Sequence, residues 1–147
     1  MCGIAGLKGE FTLDQVNFLE NNLKHRGPDA CGRYISSDNN FALVHTRLSI
    51  QDISSAGNQP MVSNCGNFVL SFNGEIYNFK KLKLELENKS YKFFSKTDSE
   101  VVLNLFIEYG IKFLEMLEGD FAIAIWDKKL TRLLIARDRM GIKPLYY

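Results

Sequence analysis

The chain has 147 residues, the size of one domain with a sizeable core. Lys+Arg 18 stand against Asp+Glu 17, and 46% of the residues are hydrophobic, so composition points away from nucleic acid and anionic membrane surfaces as partners. No apolar run reaches the length of a membrane span and no basic-then-apolar leader opens the chain, which makes a cytoplasmic protein the expectation.

Residues 2–7 read as a short strand. "TLDQVNFLENNLKHRG" reads as a helix, with Thr12 and Gln15 as a capping box, Val16, Leu19 and Leu23 on one face, and Gly27 as its stop. Gly32–Ser36 and Phe41–His45 read as strands joined by the turn "SDNN", and residues 51–66 as loop. "NFVLSF" is a strand expected to enter a turn at Asn73-Gly74. A helix is expected from about Phe79, with Phe79, Leu82 and Leu86 on one stripe. "TDSEVVLNLFIEYG" is another, with Thr97 and Glu100 as capping box and Gly110 as stop, and "IKFLEML" a short third. "FAIAIWD" and "RLLIARD" are strands around the turn "KKLT", apolar on both faces, which predicts a sheet covered on both sides by a second sheet, by helices, or by one of each. Short strand–strand connections favour antiparallel pairing.

The three cysteines, Cys2, Cys31 and Cys65, form no metal-spaced cluster, and no metal site is expected. Cys31 and Cys65 are expected to be small buried hydrophobes. Cys2 differs, because loss of Met1 gives it both a thiol and a free α-amine. An α-amine has a reference pKa of ~7.7–8.0, suited to taking the thiol proton at working pH. An attacked carbonyl needs hydrogen-bond donors for its developing oxyanion. Asn73 could supply a side-chain amide and Gly74 a backbone N–H. Arg47 could clamp a carboxylate bidentately, and Glu75 and Asp98 could hold an ammonium. Each has a plainer reading: Asn-Gly as a hairpin turn, Arg47 as a surface ion pair, Asp98 as a charge at a helix start, and His25 and His45 as structural histidines.

Taken in order, "MCGIAG", "HRGPD", "HTRLSIQD", "QPM", "FNGEIYN", "KTDSEV", "LEGDFAIAIWD" and "RDRMGIKPLYY" resemble the N-terminal glutaminase domain of glutamine-hydrolysing asparagine synthetase, a class II glutamine amidotransferase and N-terminal nucleophile hydrolase. The resemblance runs from Met1 to Tyr147. "FNGEIYN" and "HTRLSI" favour this type over the sugar-phosphate amidotransferases. The resemblance implies an α+β fold, a four-layer αββα sandwich of two antiparallel sheets. It implies Cys2 as nucleophile, its α-amine as base, Asn73 and Gly74 as oxyanion hole, Arg47 on the α-carboxylate of glutamine, and Glu75 and Asp98 on its α-amino group. It implies no cofactor in residues 1–147; ATP and magnesium belong to a synthetase domain, whose pyrophosphate-binding loop is absent here. The sequence therefore reads as one glutaminase domain, 1–147, truncated within its last strands, with glutamine as substrate and a C-terminal synthetase domain as partner. A homodimer is left open. The alternatives are the glutaminase domain of a related amidotransferase with another carboxylate acceptor (a sugar acid or peptide), or a non-catalytic amino-acid-binding module.

Overall fold

The computed structural model describes residues 2–50 and 52–147. The first layer is helix α1, Leu13–Leu23, whose capping box forms as expected: Gln15 N–H donates to Thr12 Oγ1 at 3.3 Å and Thr12 N–H to Gln15 Oε1 at 2.8 Å. It lies on a sheet of β1 (Gly3–Lys8), β2 (Ala30–Ile35) and β3 (Phe41–Arg47), antiparallel and ordered β1-β3-β2. Every residue of β3 is buried because both of its faces are used. Ala42 and Val44 pack with Val16 under the helix, while Phe41 and Leu43 face inward.

The second sheet is ordered β4-β5-β6-β7, from Met61–Val62, Phe68–Ile76, Gly119–Asp127 and Arg132–Arg137. Val69, Ala124 and Trp126 meet Phe41 and Leu43 between the sheets, where Phe41 stacks on Trp126 at 3.9 Å. The other face, Leu70, Phe72, Ile123 and Ile125, is covered by α2 (Phe79–Asn88) and α3 (Asp98–Tyr109). The doubly apolar β6 thus has a sheet on one face and helices on the other, and the layers run α, β, β, α as expected. Among the described residues no helix is long and apolar enough to cross a membrane.

Four local expectations fail. Asn73-Gly74 is not a turn: β5 runs straight through it, pairing with β6 as far as Ile76↔Gly119. The glycine is there for close approach, since a Cβ on Gly74 would run into the Asp120 carbonyl. Thr97 caps α3 without a side-chain bond; Glu100 turns away to accept from Ser95 N–H and Oγ, both at 2.7 Å, and from Phe94 N–H. The stretch 51–66, read as loop, carries the strand β4, because Met61 and Val62 pair with Leu70 and Val69, whereas the short third helix forms as expected, as a 3-10 helix over Gly110–Met116. Cys31 and Cys65 are exposed. Cys31 lies on β2, an edge strand, and Cys65 in the Ser63–Gly66 turn.

Candidate active site

Cys2 enters the fold just before β1. The register Gly3↔Thr46 carries it beside Arg47, the last residue of β3. Its thiol meets the next peptide of that chain: Leu48 N–H approaches Sγ at 3.5 Å. Its carbonyl accepts from Arg26 Nε at 3.3 Å. Met1 lies outside the described residues, and with it the question of its removal.

Arg47 is 6% exposed, yet among the described residues no carboxylate comes within ion-pair distance of it, and its charge reaches the Asp52 carboxyl only as a minor pull beside that group's hydrogen bonds. Its Nη1 donates to Ser54 O at 2.7 Å and Asn58 Oδ1 at 2.9 Å, and its Nη2 to Asp52 O. These acceptors are neutral, and among the described residues they leave two of the roughly five guanidinium N–H donors unspent. A buried cation is ordinarily matched by an anion, and this guanidinium has the donors to take one.

The opposite wall is the edge of β5. In an antiparallel strand alternate residues turn their N–H groups to alternate sides. On the side away from β6, Phe72 N–H donates to Gln59 Oε1 at 2.6 Å and Ile76 N–H to Asp98 Oδ2 at 2.9 Å. Gly74 lies between them with the same orientation. Its cross-strand partner Phe121 is turned to Asp138 instead, accepting from Asp138 N–H at 2.8 Å and donating to Asp138 Oδ2 at 3.2 Å. Because β4 begins only at Met61, which faces Leu70, Gly74 N–H has no strand partner among the described residues. Asn73 turns inward, and its amide makes no hydrogen bond among them either. Both donors border the same small cleft as Cys2, Arg47, Glu75 and Asp98, with a volume of about 150 Å3.

Asp98, 5% exposed at the start of α3, has its carboxyl pushed up to about 6 by burial, against the opposing pull of the Ile76 N–H. Glu75 is exposed at the rim. All six residues singled out in the sequence therefore meet in one place. The histidines do not: His25 is exposed, and His45 is buried between the sheets with Nε2 3.1 Å from Phe72 O. Burial lowers the His45 ring to about 4, which keeps it neutral. Sequence reasoning gave no role to Gln59 and Ser99, which also line the cleft. "QPM" contains Gln59, but no local pattern says where its side chain goes. Among the described residues no group of three or more His, Cys, Asp or Glu side chains could hold a metal ion. A thiol, two unspent donors, a cation and two acids around one cleft suit a small amide with an amino-acid end.

The solved structure of glutamine phosphoribosylpyrophosphate amidotransferase from B. subtilis superposes over 98% of this chain and 38% of its own, with a TM-score of 0.81 at 22% identity. That likeness establishes the shared fold. Among curated proteins, asparagine synthetase B [glutamine-hydrolyzing] of Escherichia coli is 44% identical over 99% of this chain and 26% of its own length. Asparagine synthetase [glutamine-hydrolyzing] 2 of Bacillus subtilis is 40% identical over 100% and 20%. Amidase chry2 of Gibberella zeae is 43% identical over 85% and 18%. The chain thus spans a quarter or less of the length of most of these relatives. The glutamine amidotransferase domain family matches residues 1–147, from Met1 to Tyr147, and the chain belongs to the glutamine amidotransferase domain family.

Proposed function

We propose that this domain hydrolyses glutamine to glutamate and ammonia, with Cys2 as nucleophile once Met1 is removed. The observation that carries the reading is the meeting, in one cleft, of the Cys2 thiol with the unspent donors of Asn73 and Gly74 and the unpaired Arg47 cation. The Cys2 α-amine takes the thiol proton. The sulfur attacks the side-chain amide carbon, and the oxyanion is held by the Asn73 amide and Gly74 N–H. The protonated amine returns its proton to the departing nitrogen, ammonia leaves, and a γ-glutamyl thioester remains. Water then attacks the thioester, glutamate is released and the thiol is restored. Arg47 holds the α-carboxylate; Asp98 and Glu75 hold the α-ammonium. In this scheme ammonia passes to a synthetase domain that uses ATP and magnesium to activate aspartate, giving asparagine.

A second reading keeps the hydrolysis and changes the acceptor. The similarity to Amidase chry2 at 43% identity favours keeping it beside the first. The acceptor then is another carboxylate, such as a sugar acid or peptide.

The hydrolysis is tested by following glutamate release. Cys2→Ala is expected to abolish it with melting behaviour intact, and Cys2→Ser to leave little, because a hydroxyl is far less acidic than a thiol. A glutamine-like electrophile should label Cys2 ahead of the exposed Cys31 and Cys65, and mass spectrometry of active protein should find the chain beginning at Cys2. Hydrolysis that survives Cys2→Ala, or full activity with Met1 retained, sinks the reading.

A further inference from the structure

The β5 edge raises a question that the hydrolysis scheme leaves open: what keeps the Gly74 N–H unpaired and aimed? A sheet edge normally continues to pair until its neighbour runs out. Here β4 pairs Met61↔Leu70 and Val62↔Val69. Continued backwards by the same register, residue 59 would lie opposite Phe72 and residue 57 opposite Gly74. The main chain does not follow that course. Pro60 has no N–H to give, and Gly57 lies against the Arg47 guanidinium. In place of a strand, the side chain of Gln59 takes the Phe72 N–H at 2.6 Å, and His45 Nε2 meets the carbonyl of the same residue at 3.1 Å. Phe72 is thus gripped on both its polar groups by side chains, one residue before Asn73 and two before Gly74.

Gln59 has a second attachment. Its Nε2 donates to Ser99 Oγ at 3.1 Å, and Ser99 follows Asp98 at the start of α3. Gln59 is 7% exposed, and both hydrogen bonds of its amide are internal. It therefore links the strand that carries the oxyanion donors to the helix that carries the buried acid.

We propose that Gln59 is a positioning residue for the oxyanion donors: its side chain replaces a strand partner at Phe72, fixing the pitch of β5 while leaving the next outward N–H, that of Gly74, open to substrate. The proposal rests on the assignment of Asn73 and Gly74 to the oxyanion. It places the effect of Gln59 in the transition state, where a displaced donor lowers kcat, and not in the grip on the amino-acid end of glutamine.

The test compares Gln59→Met, close to Gln in volume but without either hydrogen bond, with Asn73→Ala in purified protein. Three quantities are read: kcat and KM for glutamine hydrolysis, inhibition by the glutamine-derived aldehyde, which forms a tetrahedral adduct on Cys2, and glutamate binding by calorimetry. Gln59→Met is expected to lower kcat at least ~10-fold and to weaken the aldehyde in parallel, with KM and glutamate affinity within ~3-fold of the parent. Should Gln59→Met not fold, Gln59→Asn withdraws the same amide by one methylene and is expected to give the same split. If Asn73→Ala weakens the aldehyde and a folded Gln59 variant does not, the role given to Gln59 is wrong. If Asn73→Ala itself leaves hydrolysis and aldehyde binding unchanged, the oxyanion assignment fails first. Equal loss of glutamate affinity and kcat in the Gln59 variant would make it a general structural residue and overturn the proposal.

Discussion

At the scale of single residues, two buried titratable groups stand behind the site and pull stability in opposite directions. Asp98 is raised by burial from 3.8 to about 6. The folded chain therefore holds that proton more tightly than the unfolded chain does. The resulting stabilisation is complete below 3.8 and is lost as pH rises through about 6. His45 is lowered by burial from 6.5 to about 4, so its contribution is present above 6.5 and is lost as pH falls through about 4. Between these limits the two oppose each other. Asp98→Asn keeps an oxygen for the Ile76 N–H and removes the titration. Its melting temperature is expected to exceed that of the parent at pH 8, where the parent carries a buried charge, and to fall more steeply than the parent on acidification from pH 6 to 4. Thermal melts of both proteins across that range check this; parallel curves would show that Asp98 titrates as an exposed carboxylate. The same carboxylate is the proposed seat of the glutamine ammonium, so the more stable variant is also expected to bind glutamine poorly.

At the scale of elements, the strand ends and their caps decide what the chain can do. Asp138, just past β7, accepts from Ile142 N–H at 2.8 Å, Lys143 N–H at 2.9 Å and Phe121 N–H at 3.2 Å. Burial alone would raise its carboxyl, but these backbone donors outweigh it and hold it below the ordinary range. One side chain thus ties the segment after β7 to the start of β6 and holds Lys143 at the rim of the cleft. Asp138→Ala leaves those amides without their acceptor and is expected to cost ~1–3 kcal/mol, with faster hydrogen exchange confined to residues 139–145. A melt unchanged from the parent would mean that water replaces the carboxylate at no cost. Such caps mark the limit of what is legible in sequence. The Thr12 and Gln15 box was readable because all its partners lie within one turn. The same pattern at Thr97 and Glu100 misled, because Glu100 found stronger donors at Phe94 and Ser95, and that competition is set by the path of the preceding loop. Asn73-Gly74 reads as a turn by composition, and only the strand opposite it, more than 40 residues on at Phe121 and Ala122, makes it a strand. The motifs placed Cys2, Arg47, Asn73, Gly74, Glu75 and Asp98 together. Nothing local to Gln59 says that β4 will begin only at Met61 and leave its amide to finish the edge.

At the scale of the whole molecule, the cleft lies at one end of the sandwich and the Phe41–Trp126 stack near the other. β3 connects them, from Phe41 at the stack to Arg47 at the cleft, about 20 Å at ~3.3 Å per residue. Trp126 is 5% exposed and wedges between the sheets. Trp126→Ala is expected to cost ~3–5 kcal/mol and, in protein that is still folded, to lower glutamine turnover from a position that touches nothing in the cleft. Melting fixes a working temperature at which both proteins are folded, and kcat measured there decides; unchanged turnover would show that the sheets hold their spacing near the cleft without the stack. The thiol rides on one sheet and both of its proposed donors ride on the other. The spacing of thiol and donors is therefore set by how the two sheets pack, about 10 Å from one sheet to the other. Their alignment is therefore expected to respond to hydrostatic pressure well short of unfolding, and an activation volume for glutamine turnover indistinguishable from zero would show that the packed sheets hold it rigid.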